Sequence, residues 1–426
     1  MQNQDIFIKI LEKEMVPALG CTDPIGVAFA AAYARQYTKG KIISITGELS
    51  VNIIKNAAAV CIPKTCGKCG VDVAIALGAI GGNPNKGLEV LSNITDEDVK
   101  KAEELIEKGG IIIKVSSNSK KLYMKVTVKT NEDESIVTME DSYTGITSVF
   151  VNGVNVFSKN RKDDYEEVEK ISYEFLSLKS ILEFAESVSI DRLEIIKKAI
   201  TMNMTIAEEG FRNDYGVSVG KSIRNFVKNG MMSDDYTSMA MMWAAAATDA
   251  RMAGCDIPII SNTGSGNQGL ASTIPVIIIA KKMEVTFEKM IRAVTISSLV
   301  TIYIKEKIGS LSAVCGAVIA GTGTSCGVVY LFGGKNENMV AALQCTLGDI
   351  AGMICDGAKA GCALKVATCI NSGVMSAFMA MDNKGIKGTD GIVGYDEYQT
   401  IDNFIKISTE GMYKMDQVIL DIILNK

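Results

Sequence analysis

The spacing of apolar residues changes character part-way along the chain. Leu122, Met124, Val126 and Val128 alternate with Tyr123, Lys125, Thr127 and Lys129, which predicts a strand with one face on a core and one in water. Val149 to Val156 reads as a hairpin turning at Asn152-Gly153. Upstream, Pro24 to Tyr37 is rich in small apolar residues and predicts a helix, with Asp23 at its N-cap and Pro24 in its first turn. Thr95-Asp96-Glu97-Asp98 predicts a capping box opening a short charged helix that stops at Gly109-Gly110. From Ser158 to Glu169 the chain is charged and poor in apolar residues, which suggests a boundary. Beyond it Ile171, Phe175, Leu178 and Leu182 fall on one helical face. The expected architecture is an α+β N-terminal domain over residues 1–160 and a larger all-α domain over residues 161–426. No repeat of fixed period and no low-complexity tract interrupts this plan.

Composition narrows the chemistry. The chain has 426 residues, 44 Lys and Arg against 49 Asp and Glu, 11 Cys and no His. A net charge of −5 argues against nucleic acid as a partner, because that needs a basic stripe. Without histidine there is no Ser–His or Cys–His pair, no imidazole ligand and no imidazole base. Proton transfer falls to carboxylates, lysines, tyrosines, thiols or water. The N-terminus lacks the pattern of a signal peptide. The apolar stretches Ile274–Ala280 and Ser298–Ile304 end well short of the ~18 residues of a membrane span. These features predict a cytoplasmic protein with no membrane partner. Its thiols would be reduced, serving as core residues, ligands or catalysts and not as a disulfide framework.

The cysteines fall into groups. Cys355 and Cys362 are seven residues apart, and Cys315 lies 40 residues upstream of Cys355. On an unbroken helix the seven-residue pair would stand about 10 Å apart; Gly357 and Gly361 offer a break that would bring the sulfurs together. On spacing alone, ligands of one centre and ordinary buried thiols both remain open. Cys61, Cys66 and Cys69 have the Cys-x4-Cys-x2-Cys spacing of a plant-type [2Fe–2S] loop, which needs a fourth, distant cysteine; a Gly-flanked turn is the alternative. Cys21 precedes the predicted cap at Asp23. A thiol at the positive end of a helix is expected below its ordinary pKa of ~8.5, which would make Cys21 a candidate base. Cys255, Cys326, Cys345 and Cys369 are assigned to packing.

Two glycine-rich stretches stand out. Thr263-Gly264-Ser265-Gly266-Asn267-Gln268-Gly269 contains G-x-G-x-x-G, but Pro275 falls inside the helix that a dinucleotide motif requires. An anion nest at a helix start, holding a carboxylate, is the better reading. The stretch Ala320–Gly327 reads as a similar loop or as a tight helix crossing. Ser50, Asn52, Lys55 and Asn56 form a polar cluster that could neutralise the same carboxylate, or a solvated helix face.

Taken together these motifs resemble the L-cysteine desulfidases related to iron–sulfur L-serine dehydratases. The resemblance covers nearly the whole chain. Its carriers are Gly20-Cys21-Thr22-Asp23-Pro24, Asn52-Ile53-Ile54-Lys55-Asn56, the Thr263–Gly269 loop, Val314-Cys315-Gly316-Ala317, and Cys355-Asp356-Gly357-Ala358-Lys359 with Cys362. It implies a [4Fe–4S] cluster on Cys315, Cys355 and Cys362, one iron open to substrate, and an active site between the two domains. It also implies a small amino-acid substrate, with Ser50, Asn52, Lys55, Asn56, Thr263, Gly264, Ser265, Gly266 and Asn267 around it. The related dehydratases carry a Ser-Ser-His-Thr-type motif where this chain has Gly20-Cys21-Thr22-Asp23, which favours Cys21 as base. Some of them end in a cysteine that caps the open iron, whereas this sequence ends Leu424-Asn425-Lys426. The Cys61, Cys66 and Cys69 trio has no consistent counterpart in the family. The reaction implied is β-elimination from L-cysteine to pyruvate, ammonia and sulfide. L-serine dehydration on the same scaffold, a pyridoxal phosphate lyase, a [2Fe–2S] electron carrier and a metal-free helical binding protein are the alternatives. Oligomeric state stays open.

Overall fold

The computed structural model describes residues 2–159, 171–309 and 311–426. Six strands form one mixed sheet in the order Ile111–Val115, Ile42–Leu49, Tyr123–Thr130, Glu134–Glu140, Ile146–Val151 and Val154–Ser158. The first pair is parallel and the remaining four pairs are antiparallel. Met124, Val126 and Val128 are fully buried, as the alternation predicts, and pack with the helices Thr22–Arg35 and Val71–Gly81 in one core. Asn152 and Gly153 turn the hairpin with φ of 50° and 79°, the left-handed geometry that the pair favours. Thr95 and Asp98 form the expected capping box of the helix Asp96–Glu107.

The rest of the described chain is mostly helical. Gly316–Leu331 runs through the middle of this part, packed by Gly266–Lys282, Phe287–Ile308, Asn336–Ile350 and Cys362–Met381. The stretch 320–327 lies inside that helix and is a tight crossing, with Gly323 against Ser297 and Thr301. Pro275 does sit inside the helix Gly266–Lys282. Its missing N–H frees the carbonyl of Ala271, which accepts instead from Thr324 Oγ1 at 2.7 Å. The proline is therefore no argument against a helix there. Among the described residues Cys362–Met381 alone is long and apolar enough to cross a membrane, with mean hydropathy 1.3. Here it packs against five other helices.

Three local expectations need correction. The helix expected across Ile171–Leu182 begins at Leu178, because Ser177 and Ser180 cap one another; Ile171 and Phe175 lie in the irregular segment before it. The N-cap of Thr22–Arg35 is Cys21, and Asp23 lies in the first turn. The cysteines are not all free thiols: Cys61 and Cys69 are joined as a disulfide. Their backbones meet in an antiparallel bridge that closes the loop between them, with Cα atoms 3.9 Å apart. Of the charged stretch from Ser158 to Glu169, residues 160–169 lie outside the described residues.

One short ribbon positions the functional loops. The first helix, Gln2–Glu14, packs its apolar side into the helical core, with Phe7 stacked on Phe184 at 4.3 Å. The chain leaving it pairs Pro17–Ala18 with Ile259–Ile260. Ser261 donates N–H and hydroxyl to the carbonyl of Val16, and Thr263 donates N–H to the carbonyl of Glu14. The Gly20-Cys21 turn and the Thr263–Gln268 loop therefore leave one ribbon side by side.

Candidate functional site

Val314 and Ile354 form an antiparallel bridge. Through it Cys315 N–H donates to the carbonyl of Met353 at 2.9 Å, and Cys355 N–H donates to the carbonyl of Ala313 at 2.7 Å. A gap of 40 residues in sequence is thus closed by backbone alone. Cys315 then caps the helix Gly316–Leu331, and Cys362 opens the helix Cys362–Met381. The turn between Cys355 and Cys362 depends on Gly357, whose φ is 91°. A Cβ there would lie 2.3 Å from the carbonyl oxygen of Lys55. The break expected at the glycines is present, and the two cysteines do not share one helix.

Cys315, Cys355 and Cys362 line a single cavity with Cys21, Asp23, Asn56, Tyr143, Arg251, Asn267 and Lys305. Its volume is about 110 Å³, well under the ~300–1,000 Å³ of sites for drug-sized ligands. A dinucleotide has no room. Among the described residues no three Cys, Asp or Glu side chains are placed to grip one metal ion. In a [4Fe–4S] cluster each thiolate binds a different iron, so the donors stand around a larger body. The chemistry of the three thiols suits such a body. Burial, with repulsion from the neighbouring Cys355 and Cys362, pushes Cys315 up to about 12. A cationic centre between them reverses both effects, because a coordinating thiol is deprotonated outright.

Fixed charges surround this wall. Asp356 is ion-paired with Lys359 and Lys365. Burial acts to raise its carboxyl, but the two ammonium groups outweigh that and hold it at about 2. Lys365 Nζ also donates to the carbonyl of Ile354 at 2.7 Å.

Cys21 packs beside Cys362, and its Sγ lies 3.9 Å from Asp23 Oδ2. Asp23 Oδ1 accepts from Asn56 Nδ2 at 3.1 Å and from Tyr143 OH at 3.0 Å. Burial raises the Asp23 carboxyl, although both hydrogen bonds favour its charged form. The expectation of a low-pKa thiol at Cys21 is contradicted. Desolvation pushes it up to about 12, more than the Arg251 guanidinium lowers it, and the helix terminus behind it does not compensate.

The Gly-rich loop starts the helix Gly266–Lys282, as the nest reading expects. Gly264, Ser265 and Asn267 line the cavity, while Thr263 lines only an adjoining outer cavity. Gly266 lines neither and makes room for Arg251: a Cβ there would lie 2.3 Å from Arg251 Nε. Arg251 Nη1 donates to Asn267 Oδ1 and Nη2 donates to the carbonyl of Gly20, both at 2.9 Å. The guanidinium thereby ties the Gly-rich loop to the residue before Cys21.

The polar cluster at 50–56 divides. Asn56 reaches the cavity; Ser50, Asn52 and Lys55 do not line it. Ser50 caps the helix Val51–Ala57 and donates to the carbonyl of Lys121 at 2.7 Å. Lys55 is ion-paired with Asp416 at 2.6 Å, so its charge is already matched and it does not neutralise a ligand carboxylate. Cys61 and Cys69, bonded to each other, are not free to ligate iron, and Cys66 is exposed. Cys326, Cys345 and Cys369 are buried and Cys255 is half-buried; none of the four lines the cavity.

Sequence reasoning overlooked Arg251, Tyr143 and Lys305. Asp249 and Arg251 are the only charged residues in an otherwise Ala-rich buried helix, Tyr236–Met252, and that anomaly was a usable signal. Lys305 follows an apolar run, where only burial distinguishes it from a surface lysine. Tyr143 sits in a turn and carried no signal.

Residues 85–421 match the serine dehydratase alpha chain family. Proteins named UPF0597 match over almost the whole chain. The one from Lachnoclostridium phytofermentans is 40% identical, covering 98% of this chain and 99% of its own. Those of Oleidesulfovibrio alaskensis and Clostridium perfringens are each 39% identical, the former covering 99% of this chain and 98% of its own, the latter 99% of both. The class is that of serine dehydratase-like, iron–sulfur lyases. The chain belongs to the serine dehydratase alpha chain family.

Proposed function

We propose that this protein eliminates sulfide from L-cysteine, giving aminoacrylate that hydrolyses to pyruvate and ammonia. The observation that carries the reading is the meeting of Cys315, Cys355 and Cys362 on one small cavity that Cys21 and Asp23 also line. The three thiolates would hold a [4Fe–4S] cluster. When bound, the cluster supplies a Lewis acid for the departing sulfur.

The remaining roles fall to the chain itself. Cys21 is the group that takes the Cα proton. Burial keeps its thiol neutral at rest, so the thiolate must form first. Asp23 Oδ2 is the acceptor in line with Sγ, and Arg251 favours the resulting thiolate electrostatically. Asn56 and Tyr143 hold the other carboxylate oxygen, which keeps Oδ2 turned toward the thiol. Asn267, which lines the cavity, lies in the first helical turn, where N–H groups have no intrahelical acceptor. The Gly264–Asn267 loop therefore orients the carboxylate end of the substrate.

L-Serine is the competing substrate, and the family's name favours it. The test is to measure sulfide from L-cysteine and pyruvate from L-serine with anaerobically purified protein. The reading predicts kcat/KM at least tenfold higher for L-cysteine. A preference for L-serine would overturn it.

A further inference from the structure

Three cations are buried around the site, and two are committed. Lys55 is paired with Asp416. Arg251 is engaged by the carbonyl of Gly20 and by Asn267. The third, Lys305, lies in the last turn of the helix Phe287–Ile308 and is only 6% exposed. Among the described residues no hydrogen-bond or ion-pair partner is found for its ammonium. Asp23, Cys315 and Cys355 act on it electrostatically from across the cavity, but a buried ammonium that no acceptor touches is costly. Such a group persists where a ligand completes it.

Position makes the ligand specific. Lys305 lines both the inner cavity and the outer one, which also includes Lys13, Glu14, Tyr143, Thr263, Gly264 and Glu306. Tyr143, Gly264 and Lys305 are common to the two. Lys305 thus stands at their junction, beside the Gly264 end of the loop. We propose that Lys305 binds the carboxylate of the amino-acid substrate and supplies the positive charge that the Gly264–Asn267 loop lacks. This rests on the reading of the site as an amino-acid lyase and adds its anion-recognising residue. Burial lowers the Lys305 ammonium to about 8, so it remains mostly protonated at neutral pH. The side chain acts as a charge, not as a base.

The experiment measures binding of L-alanine, which has the substrate's carboxylate and amine but no leaving group, to anaerobically purified protein by calorimetry. Lys305→Met should weaken L-alanine binding about 10- to 100-fold, leave iron content unchanged and abolish the preference for L-alanine over L-alaninamide. Lys305→Arg should recover part of the loss. If Lys305→Met misfolds, the wild-type protein still tests the idea: at pH 7 it should bind L-alaninamide at least tenfold more weakly than L-alanine. Equal L-alanine binding by wild type and Lys305→Met would overturn the assignment. Loss of iron with intact L-alanine binding would also overturn it, placing Lys305 in service of the thiolates. Failure of the wild-type protein to release sulfide from L-cysteine or pyruvate from L-serine is a separate result, and would sink the lyase reading itself.

Discussion

Lys55 and Asp416, 361 residues apart, meet at 2.6 Å, and the same ammonium donates to the carbonyl of Cys355 at 2.8 Å. The Lys55 side chain is fully buried and that of Asp416 is 14% exposed. One ion pair therefore fastens the helix Met415–Leu424 to the helix Val51–Ala57, and both to the loop that carries a proposed iron ligand. Lys55 is a positioning residue.

Lys55→Met should destabilise the protein by about 3–5 kcal/mol, because Asp416 is left without its partner. It should also release iron faster under a chelator. Asp416→Asn keeps an acceptor for Lys55 and should cost less. Thermal melting and iron retention measure both effects. Unchanged iron retention in Lys55→Met would show that the Cys355 loop holds itself.

Cys21 and Asp23 are expected to act as one unit. Cys21→Ala should keep the iron and its absorbance while lowering kcat by about 10²–10⁴. Asp23→Asn should lower kcat with KM little changed, since the hydrogen bond to Tyr143 can survive. Rapid-quench turnover beside the visible spectrum separates the outcomes. Loss of iron in Cys21→Ala would make that thiol a ligand.

Asp249 predicts a pH dependence of stability. It is buried, accepts from Gly220 N–H at 2.9 Å through Oδ2, and has no partner for Oδ1 among the described residues. Burial raises its carboxyl to about 7, although the N–H groups of Gly220 and Val219 act to lower it. Between pH 4 and 7 the folded chain keeps a proton that the unfolded chain has released, so this group's contribution falls as pH rises. Asp249→Asn should raise the melting temperature by several degrees at pH 8 and leave it nearly unchanged at pH 4. An equal shift at both values would contradict the assignment.

The sequence disclosed what depends on local pattern or on rare residues. The strand at 123–130, the Asn152-Gly153 hairpin and the Thr95 cap follow from alternation and turn chemistry within a few residues. The Gly357 break was legible because two glycines interrupt an otherwise helical pattern. Other features needed tertiary structure. The Lys55–Asp416 pair joins residues that nothing local relates, so Lys55 read as a ligand-binding residue. Cys21 sits where a helix terminus alone would lower its pKa; its burial, set by the packing of Val60 and Met252, reverses the sign. The same limit hid Lys305, whose meaning lies in its burial at the junction of two cavities with no ion-paired partner among the described residues.

The central claim is that three thiols from distant segments hold one four-iron centre. Its most direct test is the iron and acid-labile sulfide content of anaerobically purified protein, measured beside Cys315→Ala, Cys355→Ala and Cys362→Ala. The account predicts about four iron and four sulfide per chain in the wild type, with substantial loss of both in each variant. Wild-type protein without iron or sulfide, or variants that retain the full complement, would contradict it.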